Sequence, residues 1–272
     1  MVGRLVFFIF LALVTLQADV VEDKIKNLLN EQTYSKNRAF INAIVTPKNS
    51  FIQADGSANS IKIIQVLKEN GLFKLFFSSP KEIDLSFETS SNPNFFIKVM
   101  SDALANMGYY KYITKESSFD GEHFLWSISL VSEYISDPVV LNDELLKSNS
   151  TIADVIRLSD TSWRYVIDMQ SAMLDVLDLA ALNEYRLRAS VQPQWFRVKG
   201  LSRVSINSST QNSWYPYVAY YDDSLNLIRV EKESNKSNSL VLEIEPNVAY
   251  IKISDAYSLK NIKDGLLLRM VR

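Results

Sequence analysis

Three times along its first two thirds, the chain runs through an apolar stripe at helical spacing and then switches to alternation. The stripe is clearest where Phe96, Val99, Met100, Ala103, Leu104 and Met107 step by three and one, placing one apolar face on a 3.6-residue period. Shorter stripes lie in IKIIQVLKEN (61–70) and VVLNDELLKSN (139–149). The three helices begin at Asn59-Ser60, Asn92-Pro93 and Asp137-Pro138. An Asn or Asp side chain there accepts from the unpaired N–H groups of the first turn, and proline at the first helical position loses no needed donor. Gly71, Gly108 and Ser150 break them, 37 and 42 residues apart, with Leu67, Leu104 and Leu146 four residues before. Glycine offers the left-handed backbone that ends a helix. Two strand-like segments follow each break: LFKLFF and EIDLSFE, then YYKYIT and HFLWSISL, then TIADVI and WRYVIDM. The second of each pair alternates, as in Ile83-Leu85-Phe87, Phe124-Trp126-Ile128-Leu130 and Trp163-Tyr165-Ile167-Met169, so one face is buried and one solvated. Self-similarity at this period predicts repeated helix–β-hairpin units, and helices on one side of a sheet make the class α+β.

The flanks differ. Residues 20–45 read as helix, with one stripe at Val21, Ile25, Leu28 and Leu29 and a later one at Phe40, Ile41, Ile44 and Val45, ended by Pro47. Residues 50–53 offer a strand to the first unit, and 171–182 read as a linker helix. From Glu184 the texture is all-β. Strands are predicted at 185–191, 195–199, 203–207, 214–221, 226–232, 239–244, 248–254 and 266–271, separated by turn signals such as Lys199-Gly200 and Asp264-Gly265. Regular short strands with such punctuation predict a sandwich or barrel, and the length suits a jelly roll. The expected organisation is therefore a leader over 1–18, a helical segment over 19–49, three α+β units over 50–170, a linker helix over 171–183 and a β-sandwich over 184–272.

The leader expectation rests on MVGRLVFFIFLALVTLQA. One early positive charge, an apolar run and a small residue at the end are the parts of a signal peptide, cut between Ala18 and Asp19. The apolar run is shorter than the roughly 20 residues of a membrane span. No later segment is long and apolar enough to cross a bilayer, and export without cysteine favours a bacterial periplasm over a disulfide-rich secretory route.

Composition removes several chemistries. The chain of 272 residues has 29 Lys and Arg against 31 Asp and Glu, one His and no Cys. The charge balance carries no footprint for nucleic acid. Without cysteine there is no disulfide, thiolate nucleophile or cysteinyl metal site. A Ser-His-Asp triad would have to use His123, and no G-x-S-x-G elbow is present. Asp222 and Asp223 sit in a turn, where aspartate is expected for local hydrogen bonding. No catalytic residue, metal ligand or cofactor is assigned, and the chain is expected to be no enzyme.

Two features remain. Trp195, Trp214, Tyr215, Tyr217, Tyr220 and Tyr221 fall close together. Alternation places Tyr215, Tyr217 and Tyr221 on one face and Trp214, Val218 and Tyr220 on the other, one of them core. The cluster is open to three uses: core, protein interface or sugar platform. Of these, Trp195, Trp214, Tyr215, Tyr217 and Tyr221 are the candidate binding residues. Glu233-Ser234-Asn235-Lys236-Ser237 carries an acidic residue two positions before an N-x-S sequon, which resembles the acceptor of bacterial N-glycosylation. Asn149 and Asn207 have the shorter sequon only.

The segment 214–255, with YVAYYDDSLNLIRV and the Pro246-led Tyr250-Ile251-Lys252-Ile253 strand, resembles the galactose-binding-like jelly rolls of sugar-binding modules. The helix–hairpin units are similar in outline to the small α+β modules of secretins and of outer-membrane assembly proteins (POTRA-like). The whole chain resembles exported proteins of flagellated low-GC Gram-negative bacteria that build scaffolds around the flagellar motor. These resemblances imply a periplasmic structural or adaptor protein with envelope proteins as partners. The alternative is carbohydrate binding through the C-terminal sandwich.

Overall fold

The computed structural model of the chain describes residues 20–271, so the leader and the Ala18–Asp19 cleavage position lie outside the described residues. The chain divides into two units, Met1–Met173 and Leu174–Arg272, and its class is mixed, with helices in the first and strands dominating the second.

The first unit opens with helix α1 (20–29) and α2 (Glu31–Ile44). The single helix expected over 20–45 is split at Asn30, whose backbone is left-handed (φ 66°) and whose side chain accepts from Thr33 N. On α2 the buried residues are Tyr34 and Ile41, whereas Phe40 is exposed. Where a strand was expected over 50–53, the chain makes a 3-10 turn (Lys48–Phe51) and one isolated bridge, Ile52 to Ala58.

Helices α3 (Ser60–Glu69), α4 (Pro93–Asn106) and α5 (Pro138–Leu146) start at the expected caps: Asn59 accepts from Lys62 N, Asn92 from Asn94 N, and Asp137 from Val139 N. They also end alike. Leu72 N donates to Leu67 O at 2.9 Å, Tyr109 N to Leu104 O at 2.8 Å, and Ser150 N to Leu145 O at 3.0 Å, the six-to-one bond of a left-handed helix stop. The third stop corrects the register by one residue. Asn149 (φ 52°), not Ser150, takes the left-handed position equivalent to Gly71 and Gly108. Leu145 is accordingly the buried leucine, while Leu146 is exposed. Asparagine tolerates that conformation through its short polar side chain.

All five strands among the described residues of this unit join one sheet. They are β1 (Phe76–Thr89), β2 (Ile113–Phe119), β3 (Phe124–Tyr134), β4 (Thr151–Arg157) and β5 (Ser162–Asp168), in the order β2-β3-β1-β5-β4. The first segment departs from a hairpin: only Phe76 and Phe77 of LFKLFF are in a strand, and they belong to the same strand, β1, as EIDLSFE. Its pairing with β3 is irregular between Phe76 and Lys81, where Pro80 has no N–H to offer the ladder. YYKYIT contributes only its last two residues to a strand. One sheet face carries Leu85, Phe87, Trp126, Ile128, Trp163 and Tyr165, all buried. Phe87 stacks on Tyr165 (5.4 Å), and Phe96 of α4 meets Phe124 edge-on (5.7 Å). The other face is polar: Ser86 Oγ meets Ser127 Oγ at 2.9 Å, and Lys115 pairs with Asp84 at 2.7 Å. That contact with Lys115 holds the Asp84 carboxyl below its ordinary value, outweighing slight burial.

The two edges of this sheet differ. Along β4, Asn27 of α1 acts as a substitute strand, donating to Arg157 O (3.2 Å) and accepting from Arg157 N (3.1 Å), while Gln53 donates to Ala153 O. At the other edge every residue of β2 is exposed.

The second unit begins without the helix expected over 171–182. In its place lie β6 (Leu177–Asp178) and a 3-10 turn (Leu179–Ala181). Pairing decides this over propensity: β6 runs parallel beside β8, Asp178 accepts from Ala180 N, and it pairs with Arg197 at 2.5 Å. Strands β7 (Glu184–Leu187), β8 (Gln194–Arg197), β9 (Arg203–Ser208), β10 (Pro216–Tyr221), β11 (Leu227–Lys232), β12 (Ser239–Glu243), β13 (Tyr250–Asp255) and β14 (Leu266–Val271) all fall within the expected segments, give or take one or two terminal residues. They form two sheets, β11-β10-β13-β8-β6 and β12-β9-β14-β7. Phe196, Val218, Ile251 and Ile253 from one sheet and Leu187, Val204, Ile206, Leu242 and Leu268 from the other share a single core, so the unit is a β-sandwich. Each such side chain adds roughly 1.5–3 kcal/mol by leaving water.

Candidate binding surfaces

Register places the aromatic cluster. In the five-stranded sheet Lys252 lies opposite Trp195 on one side and Ala219 on the other, and Tyr217 and Tyr221 flank Ala219 on the same strand. Trp195, Tyr217, Tyr221 and Lys252 therefore share the outer face, each half-buried. The rings of Trp195 and Tyr221 pack against each other with centroids 4.7 Å apart. The Lys252 ammonium lies 5.3 Å from the first ring and 5.7 Å from the second, a cation–π arrangement.

Trp214 is corrected from candidate binding residue to core residue. It is fully buried, and its indole N–H donates to Ser254 O at 3.0 Å. Val218 and Tyr220 lie on the same inward side, as alternation requires. The Tyr220 hydroxyl is pushed up by burial and by its 2.7 Å bond to Glu231, and the Arg229 guanidinium lies 3.5 Å from the ring. Tyr215 precedes β10 and stands away from the Trp195 pair, edge-on to Tyr257 at 4.9 Å.

A carboxylate that the sequence reading missed anchors that corner. Asp255 is buried, its Oδ2 accepting from Tyr215 N and its Oδ1 from Tyr257 N, Ser258 N and Asn261 Nδ2, at 2.8–3.0 Å. The loop it holds forms one wall of a groove of about 790 Å³ lined by Val191, Ser258, Leu259, Lys260, Ile262 and Lys263, among others. Apolar residues beside two ammonium groups suit an anionic, partly apolar ligand.

The first unit carries a surface that sequence pattern alone did not single out. At one end of its sheet Phe76 pairs across the ladder with Tyr134, and Ile113 pairs with Ser129, two residues before Val131 on the same face. Phe76 is 62% exposed, Ile113 and Val131 73%, and Tyr134 57%. The doubled Phe76-Phe77 beside Pro80 was the only hint.

The remaining candidates lie in turns and loops. Asp222 accepts from Ser224 N, Asn226 N and Asn226 Nδ2, and Asp223 pairs with Lys199 at 2.7 Å. His123 is exposed beside the β2–β3 turn, its main-chain N–H held by Asp120. Asn235 is exposed in the loop between β11 and β12. Among the described residues no group of three or more His, Asp or Glu side chains is placed to hold a metal ion, and no helix is long and apolar enough to cross a membrane. No protein-family profile and no curated protein matches the chain.

Proposed function

We propose that the chain is a non-enzymatic structural or adaptor protein of the periplasm, exported through its leader, which binds protein components of a cell-envelope machine such as a flagellar-motor scaffold. The observation that carries this is the exposure of Phe76, Ile113, Val131 and Tyr134, each by more than half, at one end of the N-terminal sheet, with Ile113 and Val131 on one face and Tyr134 on the other. Large apolar side chains left exposed on a folded unit are candidate contacts for a partner, and aromatic side chains are the usual anchors of protein interfaces. In this proposal the three helix-and-strand segments are copies of one secretin- or POTRA-like unit merged into a single sheet. The second unit is a jelly roll: with β7 to β14 counted as one to eight, the sheets run 1-8-3-6 and 2-7-4-5, as in two interlocked Greek keys.

The test is affinity capture from the envelope fraction with the wild-type chain and with a Phe76→Ser/Tyr134→Ser variant of unchanged melting behaviour. Envelope proteins recovered by the wild type and lost by the variant support the proposal; identical recoveries refute the assigned surface.

A second proposal, carbohydrate binding, is favoured by the outer-face set of Trp195, Tyr217 and Tyr221. A sugar ring would have to displace the Lys252 ammonium from both rings it covers. Binding on a glycan array that Trp195→Ala abolishes would support it, and silence of the wild type would refute it.

A further inference from the structure

We propose that Asn235 is an acceptor for an N-linked glycan, added by an enzyme that reads the acidic residue two positions earlier. Three N-x-S/T sequons occur in the chain, at Asn149, Asn207 and Asn235, and the fold separates them. A transferase must draw the acceptor asparagine and its +2 hydroxyl into its own site as a free, extended stretch, so an acceptor belongs on a surface loop.

Asn149 fails this condition because it is the left-handed stop of α5 (φ 52°). Its successor Ser150 is fully buried and spends its N–H on Leu145 O. Asn207 fails it because it lies inside β9 with a strand on each side, opposite Ser239 of β12 and Leu267 of β14. Withdrawing either asparagine means unwinding a helix stop or opening a four-stranded sheet.

Asn235 meets the condition. It lies outside any helix or strand, in a loop whose residues 233–236 are all exposed. The loop is pinned only at its two ends, where Glu233 N donates to Pro216 O and Ser237 N to Trp214 O, both at 2.9 Å. The hydroxyl of Ser237 donates to Ser239 O and accepts from Ser239 N at 3.3 Å, the two side-chain contacts with one residue that recognition would have to break. It is also the sequon with the acidic residue in place: Glu233 is exposed on the same loop.

In the transfer, the Asn235 side-chain nitrogen bonds to the anomeric carbon of an oligosaccharide carried on a polyprenyl diphosphate. The carbon–oxygen bond to the diphosphate breaks, polyprenyl diphosphate leaves with the electron pair, and the amide nitrogen gives one proton to a base of the transferase. Nothing is oxidised or reduced.

The experiment is intact-mass and peptide mapping of the full chain purified from the cells that produce it. Alongside it run Asn235→Gln, Glu233→Gln, Asn149→Gln and Asn207→Gln forms expressed in the same cells. The expected result is one glycan mass, located on the Asn235 peptide. It should be absent from N235Q, reduced at least about tenfold in E233Q and unchanged in N149Q and N207Q. Recovery of the Asn235 peptide only as unmodified asparagine, or a glycan on Asn149 or Asn207 instead, would overturn the assignment.

Discussion

Asp255 gives the sharpest stability prediction because its two oxygens do unequal work. Oδ1 accepts from Tyr257 N, Ser258 N and Asn261 Nδ2, whereas Oδ2 accepts from Tyr215 N alone. Leaving a buried donor without an acceptor costs about 1–3 kcal/mol. Asp255→Ala strands four donors at once, and with partial rescue by water at this near-surface corner the expected cost is about 3–4 kcal/mol. Asp255→Asn keeps the oxygen that holds three donors and turns one amide N–H against Tyr215 N, so it should cost about 1–1.5 kcal/mol. For a unit the size of Leu174–Arg272, each kcal/mol lowers the melting temperature by roughly 4–8 °C. Calorimetry should therefore show the alanine transition displaced by more than about 12 °C and the asparagine transition by roughly half that or less. Amide hydrogen exchange adds a residue-level check. Asp255→Asn should speed exchange at Tyr215 alone, and Asp255→Ala at Tyr215, Tyr257 and Ser258 together. Equal effects from both variants, or an alanine variant within about 0.5 kcal/mol of wild type, would refute the argument.

Three further outcomes are expected. A Cβ at Gly265 would sit 2.0 Å from the Leu187 carbonyl oxygen on a backbone with φ 73°, so Gly265→Ala should destabilise the sandwich by more than about 2 kcal/mol in urea titration. Asn27→Ala removes both contacts to Arg157 and uncovers the β4 edge; it should cost about 1–2 kcal/mol and raise aggregation seen by light scattering. Partial burial would raise Glu22, but the Lys26 ammonium 3.2 Å away and the nearby Lys48 charge prevail and hold its carboxyl below the ordinary value. Its contribution is thus complete above about pH 4.5 and is lost as the pH falls through the lower folded value, so Glu22→Gln should flatten the acid side of the stability curve by under about 1 kcal/mol.

What the sequence made legible was local chemistry. The caps at Asn59, Asn92 and Asp137 and the turn signals between the sandwich strands act within a few residues, and they appear where expected. The register of the third helix stop was harder, because Asn149 and Ser150 are both polar and only φ tells them apart. Strand β2 was invisible: ITKESSF has no buried residue and so no alternation, and it is a strand because β3 offers it a partner. The segment 171–182 misled in the opposite sense, with helix-forming residues captured by pairing to β8. At the candidate surfaces alternation separated Trp214 and Tyr220 from Tyr217 and Tyr221. The bond of Asp255 to Tyr215 N and the exposed Phe76–Tyr134 end depend on contacts between distant segments, which pattern in one segment cannot encode.

Photo-crosslinking in intact cells shows whether the exposed end of the N-terminal sheet binds other proteins, as proposed above. A photoreactive side chain would replace Phe76 in one strain and Tyr257, an exposed position of the sandwich, in another. The expected result is a discrete protein adduct of constant mass from position 76 and none from position 257. Absence of an adduct at 76, or the same adduct from both positions, would contradict it.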